Sequence, residues 1–308
     1  MSRRAPLLAL AALAAGLTGF SLSETGLRAI ARGLERKGLE EATFMTPDAG
    51  HTLHYFAGGE GPPLLMIHGF GGDGAVTWRG QVNALGAHRS LIIPDLLWFG
   101  ESHSPAPPTL TAQAEAQLAL LDHLGVDKVD VMGISYGGFV LLRMAQLAPE
   151  RIGKSIIVDS PGPLFSDADI TALLSRYDAE APADIFLPDT PEEVKQVLDL
   201  TFHKTPPVPR VLLKDIQRNV FSENRAEQTA LLDDLPNNRA DITPELLAQL
   251  DDILVVWGEF DPIFPLSTGE QLAGALSAEL AIIEDADHGP NVEHPKEFNR
   301  AVIEFLSH

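Results

Sequence analysis

The chain has 308 residues, 45% of them hydrophobic, and its 22 Lys and Arg face 43 Asp and Glu for a net charge of −21. That length holds one large α/β domain, or one domain with an insertion, and the acidic balance excludes a nucleic-acid role, which needs a basic surface. There is no cysteine, so disulfides, thiolate metal sites and a cysteine nucleophile are excluded.

The first 23 residues read as a signal peptide or an N-terminal anchor. Arg3 and Arg4 precede the apolar run Ala5 to Phe20, which is short of the roughly 20 residues a membrane span needs. It fits the basic start and apolar middle of a secretory signal, with Ser21-Leu22-Ser23 as small residues for cleavage. An uncleaved anchor and a buried cytoplasmic helix are the competing readings. Residues 24–40 then form an amphipathic helix: Leu27, Ile30, Ala31 and Leu34 recur at helical spacing opposite Arg28, Arg32, Arg36 and Lys37. Such a helix can lie on a membrane surface. The expected location is therefore periplasmic, secreted, or membrane-anchored.

From residue 41 onward, short apolar runs alternate with helical patterns. Glu41 to Thr46 and Thr52 to Ala57 form a hairpin around the turn cluster Pro47-Asp48-Ala49-Gly50. Leu64 to His68, Ser90 to Pro94, Val129 to Ile134, Ser155 to Asp159, Ile253 to Trp257 and Leu280 to Ile283 are further strands. Their apolar runs are continuous, as expected of parallel strands buried on both faces. The interleaved helices imply right-handed crossovers and a doubly wound, mostly parallel sheet. Residues 41–160 and 253–308 make this core.

The alternation stops between residues 161 and 252. Thr190-Pro191-Glu192-Glu193 sets a cap residue, a first-turn proline and a capping-box glutamate in order, and Val194, Val197, Leu198 and Thr201 follow on one face. Thr243-Pro244-Glu245 starts another short helix. A helical block inserted between two core strands is expected to be a lid that supplies most of a substrate pocket; ordinary core-packing helices are the alternative.

Gly133-Ile134-Ser135-Tyr136-Gly137 is a G-x-S-x-G sequence between the strand Val129 to Ile134 and a helix over Gly138 to Ala148. That context describes a nucleophile elbow, a tight turn that pushes a serine hydroxyl out of the backbone. Serine is a weak nucleophile until a base takes its proton, and the base needs an orienting carboxylate. Elbow enzymes place these in the order Ser, Asp or Glu, His, each after a core strand. Asp261 follows the strand Ile253 to Val256, and His288 follows Leu280 to Ile283. Asp261 is thus the orienting acid and His288 the general base, active when neutral. Asp159, ending the strand after the elbow, is the alternative acid. Asp287 adjoins His288 and points elsewhere. Asp95 and His68 precede the serine and support the site's loops. His51, His54, His88, His103, His123, His203 and His308 read as surface or turn residues, and His294 starts the last helix.

The charge that develops on the carbonyl oxygen needs two backbone N–H donors. Tyr136, just after the serine, is one, and Phe70 in His68-Gly69-Phe70-Gly71-Gly72 is the other, with Gly69 allowing close approach. This glycine run lacks both the Lys-Ser/Thr ending and the G-x-G-x-x-G spacing of nucleotide sites. No metal and no cofactor is implied.

At these residues the sequence resembles the α/β-hydrolase superfamily, in its esterase and lipase branch, near the monoacylglycerol-lipase-like serine hydrolases. The resemblance runs from about Thr43 to Leu306. His68-Gly69-Phe70-Gly71-Gly72 is similar to the family's oxyanion loop. Asp95-Leu96-Leu97-Trp98-Phe99-Gly100-Glu101-Ser102 is similar to its D-x-x-G-x-G-x-S loop, except that Leu97 and Trp98 fill the region of the first glycine. The resemblance implies an α/β-hydrolase fold with the lid after strand 6, and a serine carboxylester hydrolase acting on a small-molecule or lipid ester. Carbon–carbon bond hydrolases, acyltransferases and perhydrolases share the same residues, whereas an aspartate nucleophile, as in dehalogenases and epoxide hydrolases, is absent. A ligand-binding receptor on the same scaffold is the reading outside enzymes; tight retention of one ligand without turnover distinguishes it.

Overall fold

The computed structural model describes residues 24–47, 49–239, 243, 250 and 252–308. The expected leader (1–23) and, apart from Thr243, the helix expected at Thr243-Pro244-Glu245 lie outside these residues.

Eight strands form one sheet in the order β1-β2-β4-β3-β5-β6-β7-β8. They are β1 (Leu39–Met45), β2 (Thr52–Gly58), β3 (Pro63–Ile67), β4 (Ser90–Pro94), β5 (Val129–Ile134), β6 (Ile152–Val158), β7 (Ile253–Gly258) and β8 (Glu279–Ile283). β1 pairs antiparallel with β2, and β2 with β4; every other pairing is parallel. The hairpin and the six later strands stand where the sequence places them, each within a few residues.

Helices cover both faces. α1 (Glu24–Glu35), α2 (Gly74–Trp78), α3 (Val82–Leu85) and, at the C-terminus, α12 (Pro290–Glu293) and α13 (Pro295–Ser307) lie on one side. α4 (Leu110–His123), α5 (Tyr136–Leu147) and α11 (Leu266–Leu276) lie on the other. β7 shows why its apolar run is unbroken. Ile253, Val255 and Trp257 join the core on one face, while Leu254 and Val256 join the other. A strand buried on both faces has no polar side to alternate with.

Between β6 and β7 the chain makes α6 (Asp167–Tyr177), α7 (Pro182–Phe186), α8 (Pro191–Thr201), α9 (Arg210–Val220) and α10 (Arg225–Arg239). α8 starts as the sequence specifies: the Thr190 hydroxyl accepts from the Glu193 amide, and the Glu193 carboxylate accepts from the Thr190 amide. α8 and α9 close on a small core of their own, built on Val194, Leu213, Ile216 and Phe221. α1 is fixed to the body, with Leu34 buried and Ile30 and Ala31 packed on the core beneath it.

Candidate active site

β5 ends in the turn that carries Ser135. Its backbone sits at φ 53, ψ −119, outside the helical and strand regions, the kind of strain that surrounding structure must enforce. The enforcement is steric. A Cβ on Gly133 would run into the Gly137 carbonyl, and one on Gly137 would meet the Ile67 and His68 carbonyls. The Ser135 amide donates to the Val158 carbonyl, tying the turn to β6. α5 begins at once with Tyr136, so its positive end lies beside the serine hydroxyl.

Two loops from the far end of the sheet meet that hydroxyl. His288 Nε2 lies 2.9 Å from Ser135 Oγ, and His288 Nδ1 lies 2.7 Å from Asp261 Oδ2. With Nδ1–H donated to the carboxylate, Nε2 is left to accept the serine proton. The other Asp261 oxygen accepts from the Ile263 and Phe264 amides, and the carboxylate is buried. Residues 153 and 27 positions apart in sequence thus form one hydrogen-bonded relay.

Phe70 and Tyr136 are also brought together. Gly69 lies so close to the elbow that a Cβ on it would stand 3.2 Å from Ser135 Cβ, and the rings of Phe70 and Tyr136 meet edge to face at 5.7 Å. Asp159 is buried beneath the relay, its Oδ1 accepting from the Gly258 amide. Ligand atoms of Asp159, Asp261 and His288 lie within 4.8 Å of one another, the one grouping with metal-like spacing among the described residues. The His288 nitrogens already face Asp261 and Ser135.

Behind the oxyanion loop stands a cluster that the sequence shows only in part. Asp95 accepts from the Gly74 and Glu101 amides, the loop support expected of it. It also binds His54, which is buried rather than a surface or turn residue: Nδ1 lies 2.8 Å from Asp95 Oδ2 and Nε2 3.0 Å from Glu41 Oε1. Burial opposes charge on His54, but the two carboxylates outweigh it and hold the imidazolium up to about 9. His51 is buried as well, with Nδ1 2.7 Å from the Ser104 hydroxyl. Both histidines lie at or beside β2, which packs inward over Leu53, His54, Tyr55 and Phe56. A histidine inside such an apolar strand run was the available signal. His68 donates from Nδ1 to the Gly69 carbonyl and accepts the Leu96 amide at Nε2, joining the two loops.

A cavity of about 930 Å³ opens over Ser135 and His288. Its far wall comes from the inserted helices: Val194, Val197 and Leu198 of α8, and Ile216 and Val220 of α9, with Phe221 following, form an apolar part, and Arg218, Asn219 and Glu223 stand beside them. Leu27, Ile30 and Ala31 of α1 line another side. Trp98 lines it too, and holds a left-handed backbone at φ 67 where the resembling motif has glycine. Its carbonyl accepts from Gln228 of α10 at 2.8 Å. His203, just after α8, differs from the surface or turn position its sequence suggests. It is half-buried, binds Asp287 beside the base at 2.9 Å and stacks on Phe260. Asp287 thus points away from the relay.

The alpha/beta hydrolase fold family matches residues 62–295, a span that includes Ser135, Asp261 and His288. This chain belongs to the α/β-hydrolase family. The hydrolase is 30% identical over 282 residues to the 2-hydroxymuconate semialdehyde hydrolase of Pseudomonas putida, covering 84% of this chain and 92% of that one. It is 33% identical over 264 residues to the dihydrolipoyllysine-residue acetyltransferase component of the acetoin cleaving system of the same organism, covering 83% and 67%. Among solved structures it is similar to a bacterial membrane phospholipase A, with TM-score 0.75 and 25% identity over 98% of this chain and 96% of that chain.

Proposed function

We propose that this α/β-hydrolase is a serine carboxylester hydrolase working through an acyl-enzyme. The observation that carries the reading is the relay from Asp261 through His288 to Ser135 at 2.7 and 2.9 Å, opening into a cavity that apolar side chains line in part. Ser135 Oγ attacks the ester carbonyl as His288 takes its proton. The Phe70 and Tyr136 amides hold the resulting oxyanion, an interaction that contributes on the order of 3 kcal/mol for one donor. His288 then returns the proton to the leaving alcohol, and water repeats the sequence to free the acid. Asp261 keeps the imidazole in the needed tautomer.

The substrate class follows from the cavity wall. The helices α6 to α10 act as a lid, and the apolar side chains of α8 and α9 suit an acyl chain better than a charged group. α1 adds Leu27, Ile30 and Ala31 to the same cavity, which supports a lipid-like ester. Carbon–carbon bond cleavage is the second reading, favoured by the 2-hydroxymuconate semialdehyde hydrolase relative.

A series of p-nitrophenyl esters and monoacylglycerols of rising chain length, run beside a vinylogous diketone, tests both. The proposal expects ester turnover that vanishes in Ser135→Ala, peaking at medium or long chains. Exclusive turnover of the diketone overturns it in favour of the second reading.

A further inference from the structure

Asp159 stands where β6 ends, and the relay does not use it. The residue is fully buried, at 0% exposure, and its backbone holds the left-handed region at φ 42. That conformation is strained for a residue with a Cβ and persists only where the surroundings impose it. Its Oδ1 accepts from the Gly258 amide at 2.8 Å, while Oδ2 is buried with no hydrogen-bond partner among the described residues. Asp159, Asp261 and His288 each bring an oxygen or nitrogen within 4.8 Å of the others. Two carboxyl groups therefore share one buried site beneath one imidazole.

Two carboxylates cannot both ionise there. An unpaired buried charge is strongly unfavourable, and a second negative charge beside it worsens the balance. Asp261 has three donors, from His288 and the Ile263 and Phe264 amides; Asp159 has one. The negative charge belongs on Asp261 and the proton on Asp159. The groups acting on Asp159 point the same way. Burial raises its pKa well above the ordinary carboxylate value, Asp261, Glu293 and Asp287 raise it further, and the Gly258 amide alone opposes them.

We propose that Asp159 is a positioning residue of the Ser135–His288–Asp261 relay: a proton-bearing second carboxyl that confines the pair's charge to Asp261 and takes over the orientation of His288 when Asp261 is removed. It rests on the serine-hydrolase reading. In the wild-type protein the neutral acid leaves Asp261 as the one anion facing Nδ1. Burial is the largest cause of the proton on Asp159, and Asp261 the next; without the Asp261 carboxylate that second cause is gone, and the freed His288 Nδ1–H is a new donor that favours the charged form. Asp159 then releases its proton to solvent and its Oδ2 accepts from His288 Nδ1–H.

A double-mutant cycle in the full chain tests this, with kcat/KM for a short p-nitrophenyl ester followed against pH. Asp159→Asn keeps the shape and the Oδ1 acceptor, and is expected to lower kcat/KM a few-fold. Asp261→Ala is expected to lose about 10²-fold rather than the roughly 10⁴-fold seen when an orienting acid has no substitute. Its profile should gain an ionisation absent from the wild type. Adding Asp159→Asn to Asp261→Ala is expected to cost a further 10-fold or more and to erase that ionisation. The downfield proton resonance of His288 Nδ1–H should persist in Asp261→Ala at high pH and disappear in the double variant, a signature that general loss of stability does not imitate. An equal factor for Asp159→Asn in both backgrounds, with no change in profile, overturns the assignment. Retained turnover in a parallel Ser135→Ala sample sinks the functional reading itself; lost turnover there with an additive cycle sinks the Asp159 assignment alone.

Discussion

Around Ser135 a methyl group has nowhere to go. Cβ atoms on Gly133, Gly137 and Gly138 would each collide with backbone or with Ser160. The helices above it differ. α8 and α9 pack on a separate cluster of Val194, Leu213, Ile216 and Phe221, and exposed pairs such as Arg210 with Glu192 tie their rim. The elbow is fixed at Gly133 and Gly137 by backbone against backbone, where no side chain can compensate for a change, and at Gly138 by the Ser160 side chain. The insert is fixed by side-chain packing, which tolerates volume-conserving exchange. On the proposed function, bond chemistry sits in the unyielding region and substrate choice in the adaptable one.

That contrast is most sharply probed at the nucleophile. Ser135→Ala should lower kcat on any hydrolysed ester by about 10⁴-fold or more while the melting temperature stays close to the wild type's. A large loss of stability with it would place the serine in the framework as well.

Trp98 sits on the seam between the two regions, and Trp98→Gly pulls in two directions. Losing a buried Trp side chain costs about 3–5 kcal/mol, and relief of the left-handed backbone returns about 1 kcal/mol. A net fall of roughly 2–4 kcal/mol in urea denaturation is expected. The widened cavity should shift the chain-length optimum toward longer or branched acyl groups. An unchanged optimum would remove Trp98 from the pocket wall.

A smaller effect comes from the cluster behind the oxyanion loop. The His54 pKa rises from its ordinary 6.5 to about 9 in the folded protein, so its contribution to stability is complete below about pH 6.5 and is lost as pH climbs through about 9. The melting temperature should fall across that window, and His54→Gln should flatten the fall. Asp73 acts lower: burial first, then Asp95, pushes it up to about 7, so its part of the decline lies between about pH 4 and 7. A slope equally steep in His54→Gln would assign it to other groups. At the insert's rim, Arg210→Ala should leave the melting temperature unchanged, since Arg210 and Glu192 are both exposed and such pairs are screened by solvent.

Much of this is legible in the amino-acid sequence. The strands read correctly because burial on both faces writes an unbroken apolar run, and α8 because its cap is chemical and local. His54 and His203 were misread for the opposite reason. Their partners, Asp95 and Asp287, lie 41 and 84 residues away in sequence, and no local period encodes such a pairing. Trp98 was visible as a departure from a glycine position, but its left-handed backbone and its hold on α10 belong to the folded chain. α1 showed its apolar stripe plainly; that the stripe meets the protein's own core and cavity is a tertiary fact.

The most direct test of the central claim is covalent. A fluorophosphonate attacks only a serine whose proton is being withdrawn, so the native protein should carry the label on the peptide containing Ser135. Labelling should be abolished in Ser135→Ala and strongly slowed in His288→Ala. No label on the native protein, or equal labelling in His288→Ala, would contradict a relay that makes Ser135 the nucleophile.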